Sequence, residues 1–332
     1  MKEVARRAGV ALSSVSRVLN DHPDVSDAMR AKVIAAIKEL GYQPNLVASS
    51  LRRGSTKTVG FVVADISNPL FADITWGAER RLNRAGYSMV LTNSEGDPAR
   101  DEKMVRLLRR RRVDGLIISL ADETRKETIA ELKHLEVPIV LIDREVGDLA
   151  SASAVLADHA EGMRRATELL FDLGHRRIGL IGPSESTRPG RERLAGFKAA
   201  HSSRRVGVDW DLVKLGGLSP AFGEAMAHEL LNLKDPPSAL ISAGNLLLVG
   251  TLRALHRARV SVGSEISLVS CDDVPLAELY NPPITVVDRN TVEMGEIAAG
   301  LLLERLEDPE AKPRVATVPT RLIVRASTAA AR

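Results

Sequence analysis

Short apolar segments alternate with helical stretches over most of this 332-residue chain, and this alternation limits the folds that it can adopt. The apolar segments have the length and the Val, Ile and Leu content of buried strands. They lie at 58–64, 87–93, 113–119, 137–143, 153–158, 177–182, 238–243, 266–271 and 283–288. Strand–helix–strand repetition predicts parallel sheets covered by helices on both faces. The residues from 58 onward are enough for two such sheets, with a ligand site between them at the carboxyl ends of the strands.

Composition restricts the class of protein further. With 44% apolar and 27% charged residues, the chain has the composition of a globular protein. Cys271 is the only cysteine, which excludes an intrachain disulfide and a CxxC metal site. No apolar run reaches the length of a membrane-spanning helix, and the N-terminus lacks the apolar core of a secretory signal. We therefore expect a cytoplasmic protein with no membrane contact, and the sequence indicates neither a cofactor nor a metal site.

The segment from Val4 to Asn20 has the residue pattern of a helix-turn-helix. Ala5 allows the two helices to approach closely, Gly9 can take the positive φ of a tight turn, and Val15 falls on the inner face of the second helix. The outward positions of that helix carry Leu12, Ser13, Ser14, Ser16 and Arg17. Short polar groups with one arginine suit a DNA major groove. An ordinary helical hairpin in a packed domain is the alternative at this point.

Charge and a third helix favour the DNA-binding interpretation. Residues 1–57 hold ten Lys and Arg against five Asp and Glu, a net charge of +5; because the whole chain carries +3, the remainder carries −2. A basic segment of this kind suits contact with phosphates. The third helix is expected at 28–40, with Ser26 or Asp27 as its cap and with a buried face of Val33, Ile34 and Ile37.

Residues 46–51 form a possible short helix, which is followed by a polar joint at 52–55. Nucleation costs more free energy than about two helical turns recover, so such a helix should not persist alone. It would form only where another molecule or domain holds it.

With these features in place, the chain resembles the lactose/galactose repressor (LacI/GalR) family of bacterial transcription regulators. The resemblance covers essentially the whole chain. Its motifs, in order, are EVARRAGV with VSRVLN, VSDAMRAKVIAAIKELGYQPN, ASSLR, DISNPLFADI, RRVDGLI, PIVLIDR, LGHRRIGLIG, RERLAGF, DDVPLAEL and PPIT. Several of these motifs are weak alone, but their order and spacing together are specific for the family.

The resemblance implies an N-terminal all-α helix-turn-helix domain at 1–44, followed by a hinge helix and linker at 45–57. Residues 58–332 would form an α/β domain for effector binding and dimerisation, with two lobes of doubly wound parallel sheets as in periplasmic binding proteins. The first lobe would take about 58–157 and 288–318, and the second about 158–287 and 319–328. The chain would cross between the lobes near Asp158, Asp288 and Pro319.

The resemblance also implies which residues contact DNA. Leu12 and Ser13 match the positions that choose between operator variants, and Arg17 matches the arginine that contacts a guanine. Leu51 matches a hinge leucine that is wedged into the minor groove. The full set is Leu12, Ser13, Ser14, Ser16, Arg17, Asn20, Asn45, Ala48, Leu51 and Arg52.

For the effector, the resemblance implies a site shared by both lobes. Its residues are Asp65, Asn68, Phe71, Asp143 and Arg144 in the first lobe, Arg193, Asn245 and Asp272 in the second, and Arg289 at a crossing. Carboxylates, amides and arginines suit a sugar or a similar polar ligand. Asp65 has the alternative of capping the next helix, and Asp272 with Asp273 could simply end a strand, with their side chains on opposite faces. Leu246 and Arg289 depart from the Asp and Gln usual in the family, which leaves the identity of the effector open.

These observations predict a ligand-responsive DNA-binding repressor that acts as a homodimer on a palindromic double-stranded DNA operator, with a sugar-like effector. The segment TAAAR that follows the last strand has no leucine heptads, so we expect a dimer rather than a tetramer. A cytoplasmic enzyme is the alternative, but the chain has no Walker GxxxxGK[ST], GxSxG or HExxH motif and no GxGxxG after the first strand. An exported sugar-binding protein is disfavoured by the missing signal peptide and by the basic N-terminal segment.

Overall fold

The structure, a computed structural model, describes residues 1–19, 22–42 and 54–332. The chain divides into two compact units, Met1–Thr56 and Lys57–Arg332. Across the described ranges, none of the helices is both long and apolar enough to span a lipid bilayer.

In the described part of the N-terminal unit, the helices are α1 (Lys2–Ala8), α2 (Leu12–Leu19) and α3 (Asp27–Glu39). Gly9 ends α1 at a φ of 66°, a left-handed conformation that glycine adopts without strain. The Ser26 side chain accepts a hydrogen bond from the Met29 N–H. Ser26 rather than Asp27 therefore caps α3.

The small core of this unit lies between the three helices and includes Val4, Val15 and Val33, which are fully buried. Ile34 was expected on the buried face of α3, but its side chain is 53% exposed. The inward positions of α3 are Val33 and Ala36, with Ile37 half-buried. Ile34 follows Val33 by one residue, so its side chain projects about 100° away around the helix. The expectation for Ile34 was wrong for this reason.

The second unit contains strands and helices in the alternation that the sequence predicts. The strands are β1 (Thr58–Val63), β2 (Ser88–Asn93), β3 (Gly115–Ile118), β4 (Ile139–Ile142), β5 (Ser153–Ala157), β6 (Ile178–Pro183), β7 (Val213–Gly216), β8 (Ala239–Ser242), β9 (Ser267–Cys271), β10 (Thr285–Arg289), β11 (Val315–Val318) and β12 (Thr320–Ile323). The helices are α4 (Pro69–Arg84), α5 (Pro98–Arg110), α6 (Lys126–Lys133), α7 (His159–Asp172), α8 (Arg188–Ser203), α9 (Pro220–Leu231), α10 (Asn245–Ala258), α11 (Pro275–Leu279) and α12 (Thr291–Glu307).

These strands form two six-stranded sheets, one in each lobe. The first sheet has the order β11-β5-β4-β3-β1-β2, and its strands are all parallel. The second has the order β12-β10-β9-β8-β6-β7, and it is parallel except for β12, which runs antiparallel to β10. Helices cover both faces of each sheet, so the predicted fold class, with two doubly wound lobes, is confirmed.

Short elements that were not expected from the sequence include β7, β11, α6 and α11. Strands β7 and β11 lie at sheet edges and are only partly buried, so they lack the continuous apolar run of a central strand. Helix α11 spans only 5 residues, too few to show a helical period.

The chain passes between the two sheets after β5, after β10 and after β11. We expected its return to the first lobe near Asp288, with that lobe resuming at about residue 288. However, β10 pairs with β12 as far as Arg289, which lies opposite Thr320. Residues 288 and 289 therefore belong to the sheet of the second lobe, and the crossing follows Arg289.

In the first lobe, the apolar side chains of β1 divide between two helical layers. Val59, Phe61 and Val63 face the core under α4 and α12, whereas Val62 faces the core under α5 and α6. Alternation along a strand that is buried on both faces produces this division. It also holds the end of β1 rigid, where the first residues of the cleft follow.

Candidate functional site

Helix α2 presents the polar face that the sequence predicts. The Leu12 side chain is 45% exposed, and Ser13 and Arg17 are exposed with it, whereas Val15 and Val18 are buried. Ser14 and Ser16 are half-buried at the edges of this face. One face of this short helix is therefore buried, and the other carries small polar groups and one arginine. These groups suit a helix that reads base edges.

The remaining predicted DNA contacts lie outside the described residues. They are Asn20, Asn45, Ala48, Leu51 and Arg52, together with the predicted hinge helix. They stay predictions from the sequence.

The predicted effector residues converge on one cleft between the two lobes of the second unit. They are brought there because the loops after parallel strands meet at the carboxyl edge of each sheet. Its inner chamber has a volume of about 80 Å³ and opens to an outer mouth of about 510 Å³. Asp65 lies at the mouth. The other predicted residues line the inner chamber, namely Asn68, Phe71, Asp143, Arg144, Arg193, Asn245, Asp272 and Arg289.

Arg289 joins the two lobes at the back of this chamber. Its Nη1 lies 2.6 Å from Asp143 Oδ2 in the first lobe, and its Nη2 lies 3.2 Å from Asp272 Oδ1 in the second. All three side chains are buried. Although burial opposes ionisation, the Arg289 guanidinium holds the pKa of Asp143 well below its usual range. Asp143 is therefore charged, and the same arginine binds both Asp143 and Asp272.

His159 belongs to this cluster, although nothing in the sequence singles it out. The ring is buried, and its Nε2 lies 2.8 Å from Arg289 Nη1 and 3.2 Å from Asp143 Oδ2. Burial lowers its pKa to about 4, and the Arg289 charge acts in the same direction against the opposing effect of Asp143. The imidazole is thus neutral near pH 7, and its Nε2 lone pair can accept a hydrogen bond from Arg289.

Further hydrogen bonds join the two lobes, at the chamber and at the rim of the cleft. At the chamber, Asn245 Nδ2 in the second lobe donates to Asn68 Oδ1 in the first at 2.7 Å. At the rim, the buried carboxylate of Glu123 accepts from the Arg188 N–H at the start of α8 and from Arg191 Nη2 at 3.1 Å. The negative charge of Glu123 at a helix N-terminus is favourable. Sequence reasoning missed Glu123, because its partners are more than sixty residues away in the chain.

The structure separates the alternatives that the sequence left open. The Asn68 side chain accepts from the Leu70 N–H and caps α4, whereas Asp65 accepts from the N–H and hydroxyl of Ser67. The interpretation of Asp65 as the helix cap was therefore wrong. Asp273 pairs with Arg325 at 2.6 Å and does not share the partners of Asp272.

The described part of the chain contains no group of three or more His, Cys, Asp or Glu side chains arranged to hold a metal ion. The chamber instead combines arginines and carboxylates that bind each other. Such a surface can bind a polar ligand through directional hydrogen bonds.

Comparisons with known proteins extend over both units. Residues 1–45 match the model of bacterial regulatory proteins of the lacI family, and residues 167–328 match the model of a periplasmic binding protein-like domain. The chain is 34% identical to the ribose operon repressor of Escherichia coli strain K12, over 93% of each chain. It is 31% identical to the HTH-type transcriptional repressor PurR of Photobacterium profundum, over 98% of each.

A solved structure shares the whole architecture. The lac repressor dimer bound to operator and the anti-inducer ONPF is similar with a TM-score of 0.86 and 28% identity, covering 98% of both chains. Identity above 30% across nearly the full length of two repressors, together with this shared fold, establishes the relationship. The chain is a member of the LacI family of bacterial regulatory proteins, which are ligand-responsive DNA-binding regulators of transcription.

Proposed function

We propose that this protein represses transcription as a homodimer on a palindromic operator, and that a small polar ligand in the cleft changes its affinity for DNA. The observation that carries this proposal is that one polypeptide joins an exposed, base-reading face on α2 to a ligand-sized cleft between two lobes. The repressors to which the chain is similar support repression rather than activation, and the lac repressor dimer supports a homodimer. Because bacterial DNA lies in the cytoplasm, family membership also supports the expected location.

The ionisable groups of the cleft favour binding over catalysis. Asp143 and Asp272 are both paired with Arg289, so neither is placed as a free general base. Cys271 is buried, and burial raises the pKa of its thiol, which disfavours a nucleophilic thiolate. We therefore infer that the protein is not an enzyme.

For the DNA contacts, we propose that Arg17 reads a base edge and that Leu12 contacts a thymine methyl group. An arginine can bind a guanine through two hydrogen bonds, whereas a leucine can offer only apolar contact. Ser13, Ser14 and Ser16 would add short hydrogen bonds to bases or phosphates. The residues outside the described ranges, Leu51 and Arg52 among them, would contact the minor groove and the backbone.

Capture and sequencing of genomic fragments tests this function. We expect the wild-type protein to enrich fragments that share one palindromic sequence, and Arg17→Ala to lose about 5- to 150-fold in operator affinity per half-site. Arg52→Ala is the matched comparison, because a phosphate contact should weaken all DNA about equally. The specificity of each protein is the ratio of its affinity for operator to its affinity for random DNA, both measured in the same salt. An Arg17→Ala protein with the wild-type ratio would contradict the base-reading role, and wild-type enrichment of unrelated fragments would contradict the function.

A further inference from the structure

The inner chamber holds more positive than negative charge. Its charged lining consists of three arginines and two aspartates, and each of these side chains is more than nine-tenths buried. They are Arg144, Arg193, Arg289, Asp143 and Asp272. With His159 neutral, the lining carries a net charge of +1, and burial keeps water from screening it.

Both aspartates of the chamber are already bound by Arg289. Asp143 Oδ1 accepts from the Ala157 N–H at 2.8 Å, and its Oδ2 lies against Arg289. Asp272 Oδ1 also lies against Arg289, and its Oδ2 is 3.7 Å from Arg193 Nη2. A neutral sugar binds through hydroxyl groups, which need acceptors as well as donors. Arg289 already binds both of the carboxylates that such a sugar would use as acceptors.

Donors, in contrast, remain available. Arg193 donates from Nη1 to the Ala243 carbonyl at 2.9 Å, but its buried Nε has no partner among the described residues. The Arg144 guanidinium donates to the carbonyl oxygens of Leu120 and Asp143, which uses only part of its five N–H groups. Burial lowers the pKa of Arg144, because removing its positive charge from water is unfavourable in free energy.

Glu123 and Asp101 favour the charged form of Arg144 from nearby, rather than through an ion pair. Within the described ranges, no carboxylate approaches the Arg144 nitrogens within 4.0 Å. Glu123 is buried nearby, but its oxygens accept from Arg188, Arg191 and the Glu145 N–H. Asp101 is also close, and its Oδ2 accepts from the Ala121 N–H at 2.7 Å.

We propose that the effector carries an anionic group, a carboxylate or a phosphate, which lies in the inner chamber against Arg193 and Arg144. Such a group supplies acceptors to the free N–H groups and cancels the excess charge. A guanidinium group can bind either anion through two parallel N–H···O hydrogen bonds. This inference rests on the proposed function, because it assumes that the cleft binds the ligand that controls DNA binding.

The chamber and the mouth of the cleft together indicate where the rest of the ligand lies. The charged inner chamber is the narrower part of the cleft, at about 80 Å³ against about 510 Å³ for the mouth, so the charged end of a ligand fits there more readily than its bulk. The mouth is lined by acceptors, among them Asp65 and Asp122, which suit hydroxyl groups. The geometry thus fits a sugar acid or a sugar phosphate whose anionic end enters first.

Thermal unfolding of the full-length protein tests this with matched ligands. The probes are D-glucose with D-gluconate and D-glucose 6-phosphate, and D-ribose with D-ribonate and D-ribose 5-phosphate, all at equal ionic strength set with KCl. We expect at least one carboxylate or phosphate to raise Tm in a saturable way, while its neutral parent does not. The two anionic arms tell a carboxylate effector from a phosphate effector.

Variants identify the site. Arg193→Gln and Arg144→Gln should each weaken binding of the stabilising anion at least tenfold, whereas Arg204→Gln, which alters an exposed pair with Asp172, should leave it unchanged. Neutral sugars that stabilise the wild type more than their acids, or no stabilisation by any anion of the panel, would overturn the proposal. If a neutral sugar binds and still alters operator binding, only this inference fails. If no DNA sequence is enriched, the proposed function itself fails.

Discussion

Replacing Asp143 by asparagine is expected to lower the free energy of unfolding of the second unit by about 3 kcal/mol or more. Asparagine keeps the shape of the side chain and tolerates the left-handed backbone at this position, where φ is 51°. What it removes is the charge that Arg289 faces at 2.6 Å in a buried site. Arg289 then keeps only Asp272 as a charged partner, and breaking a buried ion pair costs far more than an exposed pair contributes.

The measurement is urea unfolding followed by tryptophan fluorescence. Both tryptophans, Trp76 and Trp210, lie in the second unit, so the signal does not include the N-terminal unit. Because the pKa of Asp143 is held below that of the unfolded chain, its contribution is complete above about pH 4 and is lost as the pH falls further. The difference between wild type and variant should therefore be full at pH 7 and shrink in acid.

Asp172→Asn is the control for Asp143→Asn. Asp172 pairs with Arg204 on the surface, with both side chains about half exposed. Loss of this exposed pair should lower the free energy of unfolding by no more than about 1 kcal/mol. Equal effects of the two substitutions at pH 7 would show that the buried cluster adds nothing special to stability.

Gly295→Ala is expected to lower the free energy of unfolding of the first lobe by about 3 kcal/mol, the upper end of the usual cost of overpacking. Gly295 of α12 packs against the backbone of α4, and a Cβ at this position would lie 2.0 Å from the Ile74 carbonyl oxygen. Gly77 of α4 makes the reciprocal contact, where a Cβ would lie 2.1 Å from the Val292 oxygen. Both obstacles are backbone atoms, so a methyl group forces the two helices apart.

Gly300→Ala is the matched control, since it adds the same methyl group to the same helix. A Cβ at Gly300 would meet no atom within 4 Å. Here alanine should stabilise by up to about 1 kcal/mol through helix propensity. The two substitutions thus have opposite expected signs in the same urea experiment. A Gly295→Ala protein as stable as wild type would show that the contact between α4 and α12 is not close.

The sequence predicted the elements and positions whose signal is local. Central strands such as β1 and β4 are recognisable because a strand buried on both faces must be apolar throughout. A ligand cleft at the carboxyl ends of the strands could also be predicted, because parallel strands end at the same edge of a sheet. The residues of that cleft, Asp143 and Asp272 among them, were supplied by the resemblance to a known family.

Pairings between distant residues could not be predicted in this way. Arg289 and Asp143 are 146 positions apart, and no periodicity connects them. His159 and Glu123 depend on the same long-range geometry, so their roles became visible only in the folded chain. Ile34 shows a different limit, because a helix with apolar residues in adjacent positions does not reveal which of them faces inward.

The coupling between ligand and DNA is tested most directly by two affinity measurements on the full-length protein. Operator affinity is measured with and without saturating ligand from the thermal panel, and ligand affinity is measured with and without saturating operator. Linkage requires both affinities to change by the same factor, typically about 5- to 150-fold. We predict equal factors, with weaker DNA binding for an inducer and tighter binding for a corepressor. A ligand that occupies the cleft but changes neither affinity would contradict a ligand-responsive repressor.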